Sequence, residues 1–141
     1  MFNYTLKTKI ILAMIFLFLI MGIFLLVSYQ DSRADDLRLV SQLQALATGL
    51  EKYYDKFYSY PPTSRLAVEN IRVVTENGFN QEGNLVYYQK SATWPRSAVL
   101  SSEGQDYKIE FVLDHGWSAW QAKAGDTCFL KSGLIMECRT E

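Results

Sequence analysis

This sequence is poor in the residues that most often do chemistry. It has one histidine, two cysteines and three prolines in 141 residues. His115 sits beside Gly116 with no nucleophile partner in evident reach, so it reads as a turn histidine, and no catalytic constellation is expected from one residue. Asp55, Asp106, Asp114 and Asp126 are spread without the spacing of a metal loop, so neither a metal nor a cofactor is expected. Basic residues are scattered singly. After Tyr29 there are 12 Lys or Arg against 15 Asp or Glu, leaving that part mildly acidic. A surface that binds nucleic acid by neutralising phosphates needs clustered cations, and none is present. No internal repeat or low-complexity segment is visible, and the length suits one small domain once an apolar segment is set aside.

That apolar segment dominates the N-terminal part. Every residue from Ile10 to Val27 is apolar or Gly. A run of about 18 such residues is a transmembrane helix candidate, and at about 1.5 Å per residue it nearly covers a hydrocarbon core of ~30 Å. Tyr4 and Tyr29 suit the two interfaces. A cleaved secretory signal is the competing reading, with Lys7 and Lys9 as a positive start and Ser32-Arg33-Ala34 as a cleavage site. Its apolar run exceeds the usual ~7–15 residues, and the site lies several polar residues past its end. Lys7 and Lys9 face Arg33 and Arg38 across the segment, so charge does not orient it. Cysteine does: an oxidised Cys128–Cys138 pair requires a non-cytoplasmic compartment, the alternative being two buried thiols.

Helical patterning continues past the apolar run. From Asp31 to Tyr58 there is no Pro and one Gly, and Leu39, Leu43, Leu46, Leu50, Tyr53 and Phe57 recur at steps of three and four. This spacing predicts an amphipathic helix that packs one face on a sheet. Leu37, Val40 and Ala47 widen the stripe, while Asp36, Gln42, Gln44 and Lys52 are expected to fall away from it. Gly49 is expected to weaken the helix by about 1 kcal/mol relative to Ala. Tyr60-Pro61-Pro62 stops the helix near Tyr58, because proline lacks an N–H and displaces its predecessor from helical geometry.

The remainder reads as short strands between polar turns. Thr63 to Val74 is expected to hold a short helix and then an extended piece. Strands are expected at Leu85–Gln89, at Asp106–Leu113 with alternating apolar residues, and at Trp117–Lys123. Cys128–Leu130 and Leu134–Cys138 flank a loop short enough for a hairpin that would set the cysteines opposite each other, as a disulfide needs. Trp94, Trp117 and Trp120 are either core residues or an exposed partner or glycan surface. The expected fold is α+β: a short segment at 1–9, a transmembrane helix at 10–28, its amphipathic extension at 29–58, and a small β-rich extracytoplasmic head at 59–141 on an antiparallel sheet.

An apolar helix, an amphipathic extension, a double tyrosine at Tyr53-Tyr54, a Tyr-Pro helix exit and a C-terminal cysteine pair follow in that order. The chain thereby resembles the type IV pilin and type II secretion pseudopilin family, most specifically from Arg38 to Pro62. Tyr58 stands where the family usually has Gly, and the Cys128–Cys138 tail is similar to the disulfide-closed loop of many pilins. The N-terminus departs from the pattern. Family precursors carry Gly followed by Phe-Thr-Leu-Ile-Glu before the apolar run, whereas Met1 to Lys9 contain neither Gly nor Glu. Cleavage by a prepilin peptidase is therefore not expected, nor a buried carboxylate offered to a neighbouring subunit. Some pseudopilins carry a calcium loop, and Ser101 to Asp106 supplies oxygens and a Gly, though a polar hairpin accounts for the same residues. The resemblance implies a non-enzymatic subunit of a secretion or pilus assembly, with the bilayer and other pilin-like or secretion-machine proteins as partners. The alternative is a stand-alone anchored module that binds a ligand and never polymerises.

Overall fold

The computed structural model of the chain describes residues 6–117 and 121–139; Tyr4, Trp120 and the middle of the strand expected at Trp117–Lys123 lie outside the described residues. Helix α1 spans Leu6–Phe57. The chain divides into two compact units, Met1–Ala34 and Asp35–Glu141. In the first, α1 holds one stretch long and apolar enough to cross a membrane, with none of it buried inside the protein. Ile10 to Val27 has no charge or helix-breaking proline, so its backbone bonds are satisfied internally and its side chains can face lipid on every side.

The second unit is an α+β domain: residues 35–57 of α1 pack on antiparallel sheet. Its strands are β1 (Thr63–Ala67), β2 (Val73–Thr75), β3 (Gly78–Phe79), β4 (Val86–Gln89), β5 (Val99–Glu103), β6 (Asp106–Val112), β7 (Thr127–Lys131) and β8 (Ile135–Arg139). A five-stranded sheet runs β1-β5-β6-β7-β8 and a three-stranded one β3-β2-β4. Pairing is antiparallel throughout. The core is the expected stripe against the inner face of the large sheet. Leu39, Leu43, Leu46 and Leu50 are wholly buried with Leu100, Ile109 and Leu130, and Phe111 nearly so. Each such side chain contributes about 1.5–3 kcal/mol, so the seam between this helix face and the sheet carries much of the domain's apolar burial.

β6 alternates as its sequence predicts, with Tyr107, Ile109 and Phe111 inward and Lys108, Glu110 and Val112 outward. Other expectations need correction. Phe57, expected in the packing stripe, is 39% exposed, because α1 ends there and its ring rests on Tyr53 at 4.5 Å instead of entering the core. Leu37 is half exposed, one residue off the stripe. Between Thr63 and Val74 the expected short helix is only a 3-10 turn at Val68–Asn70, followed as expected by an extended piece, β2, but an unexpected strand, β1, precedes them. Pro61 and Pro62 deliver the chain already extended, which favours a strand immediately after them. β5 was not expected at all. Its Ser101-Ser102-Glu103 run looks like loop, but inward-facing Ser102 satisfies its hydroxyl by donating to the Pro61 carbonyl. Beyond Leu113 the described part of the expected third strand is a single bridge, Trp117 to Ala122.

Candidate functional site

Three groups of residues give the domain its chemical character: the helix exit, a buried carboxylate at Asp36, and the disulfide hairpin. At the exit, Tyr58 N–H closes the last helical bond on the Tyr54 carbonyl at 2.7 Å. Tyr58 then adopts φ 55°, the left-handed conformation that ends many helices and favours glycine. The chain beyond it is fastened to the β5–β6 turn. Tyr60 N–H donates to the Gly104 carbonyl at 2.7 Å, and Gln105 Nε2 donates to the Tyr58 carbonyl at 3.0 Å. Tyr54 stacks on Tyr60 at 4.8 Å and donates its hydroxyl to Gln105. Of the exit residues, Tyr60 and Pro61 are buried and Pro62 is exposed.

Glu51 ties the helix to two more elements. It accepts the Tyr60 hydroxyl at 3.0 Å and the Gly133 N–H at 2.8 Å. Tyr107 packs edge-on against Tyr60 at 4.9 Å. Its hydroxyl is shut off from solvent without a hydrogen bond of good geometry, yet lies close enough to feel the Glu51 charge. Burial first, and Glu51 second, push both Tyr60 and Tyr107 well above the ordinary tyrosine range. These phenols remain neutral wherever the domain is folded at ordinary pH.

Gly49 has a role the sequence did not disclose. A Cβ there would lie 2.8 Å from both the Tyr87 carbonyl oxygen and Tyr88 Cβ. The absence of a side chain lets β4 pass directly over the helix, so the expected weak point is a packing requirement.

Asp36 is the functional-looking residue that sequence reasoning missed. Expected to point away from the core, it is 1% exposed. It stands three residues before Leu39 and four before Val40, and that spacing could have placed it on the buried stripe. Its carboxylate is compensated by Arg96, by the His115 N–H at 2.7 Å and by the Asp114 N–H at 3.2 Å. Arg96 also reaches Asp114 at 2.7 Å, and His115 Nδ1 is 3.9 Å from Asp36. His115 therefore belongs to a loop that Asp36 pins to the helix, rather than to a free surface turn. Such a buried carboxylate holds two loops in register through charge-assisted hydrogen bonds.

Cys128 and Cys138 face each other in the β7–β8 ladder and form a disulfide. The hairpin tip is held from outside by Glu51 on Gly133 N–H and by Ser132 Oγ donating to Asp106 at 3.0 Å. Ser101 and Ser102 lie in β5 rather than in a loop. Among the described residues, no group of three or more His, Cys, Asp or Glu converges to hold a metal ion. An open groove of about 770 Å³ runs past Thr63, Ser64, Ser101, Asp106, Lys108 and Lys131. Its mixed hydroxyl and charged lining suits polar contact with a partner more than enclosure of a small substrate. Trp94 is half-buried with its indole N–H shut off from water, and Trp117 packs at the core margin. Compared with known proteins, the chain matches no family model, no curated protein and no solved structure.

Proposed function

We propose that this chain is a membrane-anchored, pilin-like subunit whose head lies outside the cytoplasm and works through protein–protein contacts in a secretion or type IV pilus-type assembly. One observation carries the reading. A single helix supplies both the apolar segment of Ile10 to Val27 and the core stripe of Leu39 to Leu50, and it leaves through a Tyr-Pro exit locked to the sheet. The Cys128–Cys138 disulfide supports an oxidising compartment for the head. Asp36 and Glu51 each accept hydrogen bonds from segments distant in sequence, cross-ties that suit a contact scaffold better than turnover.

The test is the N-terminal sequence and intact mass of the protein recovered from membranes and from sheared extracellular material, together with lysine-directed crosslinking in living cells. The proposal expects membrane association, head cysteines inaccessible to alkylation before reduction, and crosslinks to other anchored proteins. A chain found only in membranes, without crosslinks to any protein, would favour a stand-alone ligand-binding module, for which the polar groove is the available surface.

A further inference from the structure

The sheets of the head end in four edge strands, and three of them are blunted. β1 is irregular between Thr63 and Leu66, β3 is two residues long, and the β2–β4 ladder shifts register between Val74 and Thr75. Short length and irregular pairing are devices that keep sheet edges from recruiting further strands. β8 has neither. It pairs residue for residue with β7 over five positions, without proline or bulge, and the disulfide holds it flat against its neighbour. Among the described residues, its backbone bonds only to β7.

The groups that the open edge displays follow from the ladder. The Cα atoms of Cys128 and Cys138 are 4.0 Å apart, the close spacing of a pair that exchanges no backbone hydrogen bonds. Cys138, and Met136 two residues before it, therefore direct their N–H and C=O groups outward. Ile135, Glu137 and Arg139 share the outer face of the sheet with Phe129 and Lys131, and Ile135 is 55% exposed. Met136 and Cys138 are half-buried at the core margin. Lys131 lies 2.5 Å from Glu137 and holds its carboxyl below the usual carboxylate range, so the edge presents one fixed anion and one cation two residues apart.

We propose that β8 is a docking edge for an extended segment of a partner protein, which adds to the sheet as an antiparallel sixth strand. Its chemistry is set by the row it meets: an acidic residue opposite Arg139, a basic one opposite Glu137 and an apolar one opposite Ile135. Small apolar residues fall between them, beside Cys138 and Met136. Main-chain bonds supply the attachment, and this charge order supplies register and selectivity. The inference deepens the contact role proposed above and rests on it.

The probe is a fluorescein-labelled octapeptide, TVEVKVIT, titrated by anisotropy against the full chain in detergent micelles. Saturable binding is expected, with slowed amide exchange at Met136 and Cys138. The charge-swapped peptide TVKVEVIT should bind about tenfold more weakly, since each like-charge opposition across a ladder is unfavourable. The double variant Glu137→Lys, Arg139→Glu should reverse that preference. N-methylation of the two inner valines should abolish binding without any change to the protein. No binding of TVEVKVIT, equal binding of the N-methylated peptide, or protection at β1 or β4 would each overturn the docking edge. Crosslinks in membranes without peptide binding would leave the contact role standing and remove only its placement on β8.

Discussion

Tyr58 is 75% exposed and holds φ 55°, so its side chain gains little from packing while its backbone occupies a conformation that glycine adopts freely. Left-handed geometry is unfavourable for a side-chain-bearing residue by about 1–2 kcal/mol, partly offset by the greater unfolded-state freedom of glycine. Tyr58→Gly is therefore expected to stabilise the domain by about 0.5–1 kcal/mol, read as a higher urea midpoint. Gly49 is the opposite case. On an exposed helix Gly→Ala would gain about 1 kcal/mol, but here the new methyl meets a backbone carbonyl at 2.8 Å. Gly49→Ala should destabilise by about 1–3 kcal/mol, because the strand above must move. Equal or greater stability in the same unfolding assay would refute the close approach of β4.

The elements are joined by a few polar ties whose loss should be felt widely. Asp36 binds α1 to the loops carrying Arg96 and His115, and removing it leaves two N–H groups without their acceptor and a partly buried guanidinium with Asp114 as its remaining carboxylate. Asp36→Ala is expected to destabilise by about 2–4 kcal/mol, with Asp36→Asn intermediate, in equilibrium denaturation. At the other end, the β7–β8 hairpin is closed by a disulfide spanning ten residues of sequence. Chain-entropy reasoning gives about 3 kcal/mol for so short a loop. Denaturation with and without a phosphine reductant should differ by that amount. Equal midpoints under the two conditions would refute the chain-entropy contribution of the bridge.

For the whole molecule, the buried tyrosines set an alkaline limit. The neutral forms of Tyr60 and Tyr107 are favoured in the fold, so the native state keeps protons that the unfolded chain releases above the ordinary tyrosine value of 10.0. Their contribution is fully present below that pH and is lost progressively as pH rises beyond it. Unfolding midpoints should be flat from pH 7 to about 9.5 and fall beyond pH 10, while Tyr107→Phe should make the fall shallower. The same fold shows what periodicity can and cannot disclose. The apolar run, the stripe of Leu39, Leu43, Leu46 and Leu50, the alternation of β6 and the cysteine hairpin were all legible, because each depends on local spacing and transfer of apolar surface out of water. Phe57 leaving the core, Ser102 entering it, Asp36 buried on an ion pair and Gly49 under a strand were not. Phe57 is exposed because the helix ends there, and the other three depend on partners far along the chain: Pro61, Arg96 and Tyr88 respectively. Sequence alone determined an apolar helix that continues into an amphipathic one and then a small sheet. Only the tertiary structure decided which polar groups are buried and satisfied, and which sheet edge is left open, because hydrogen bonds and charge pairs between distant residues have no period to read.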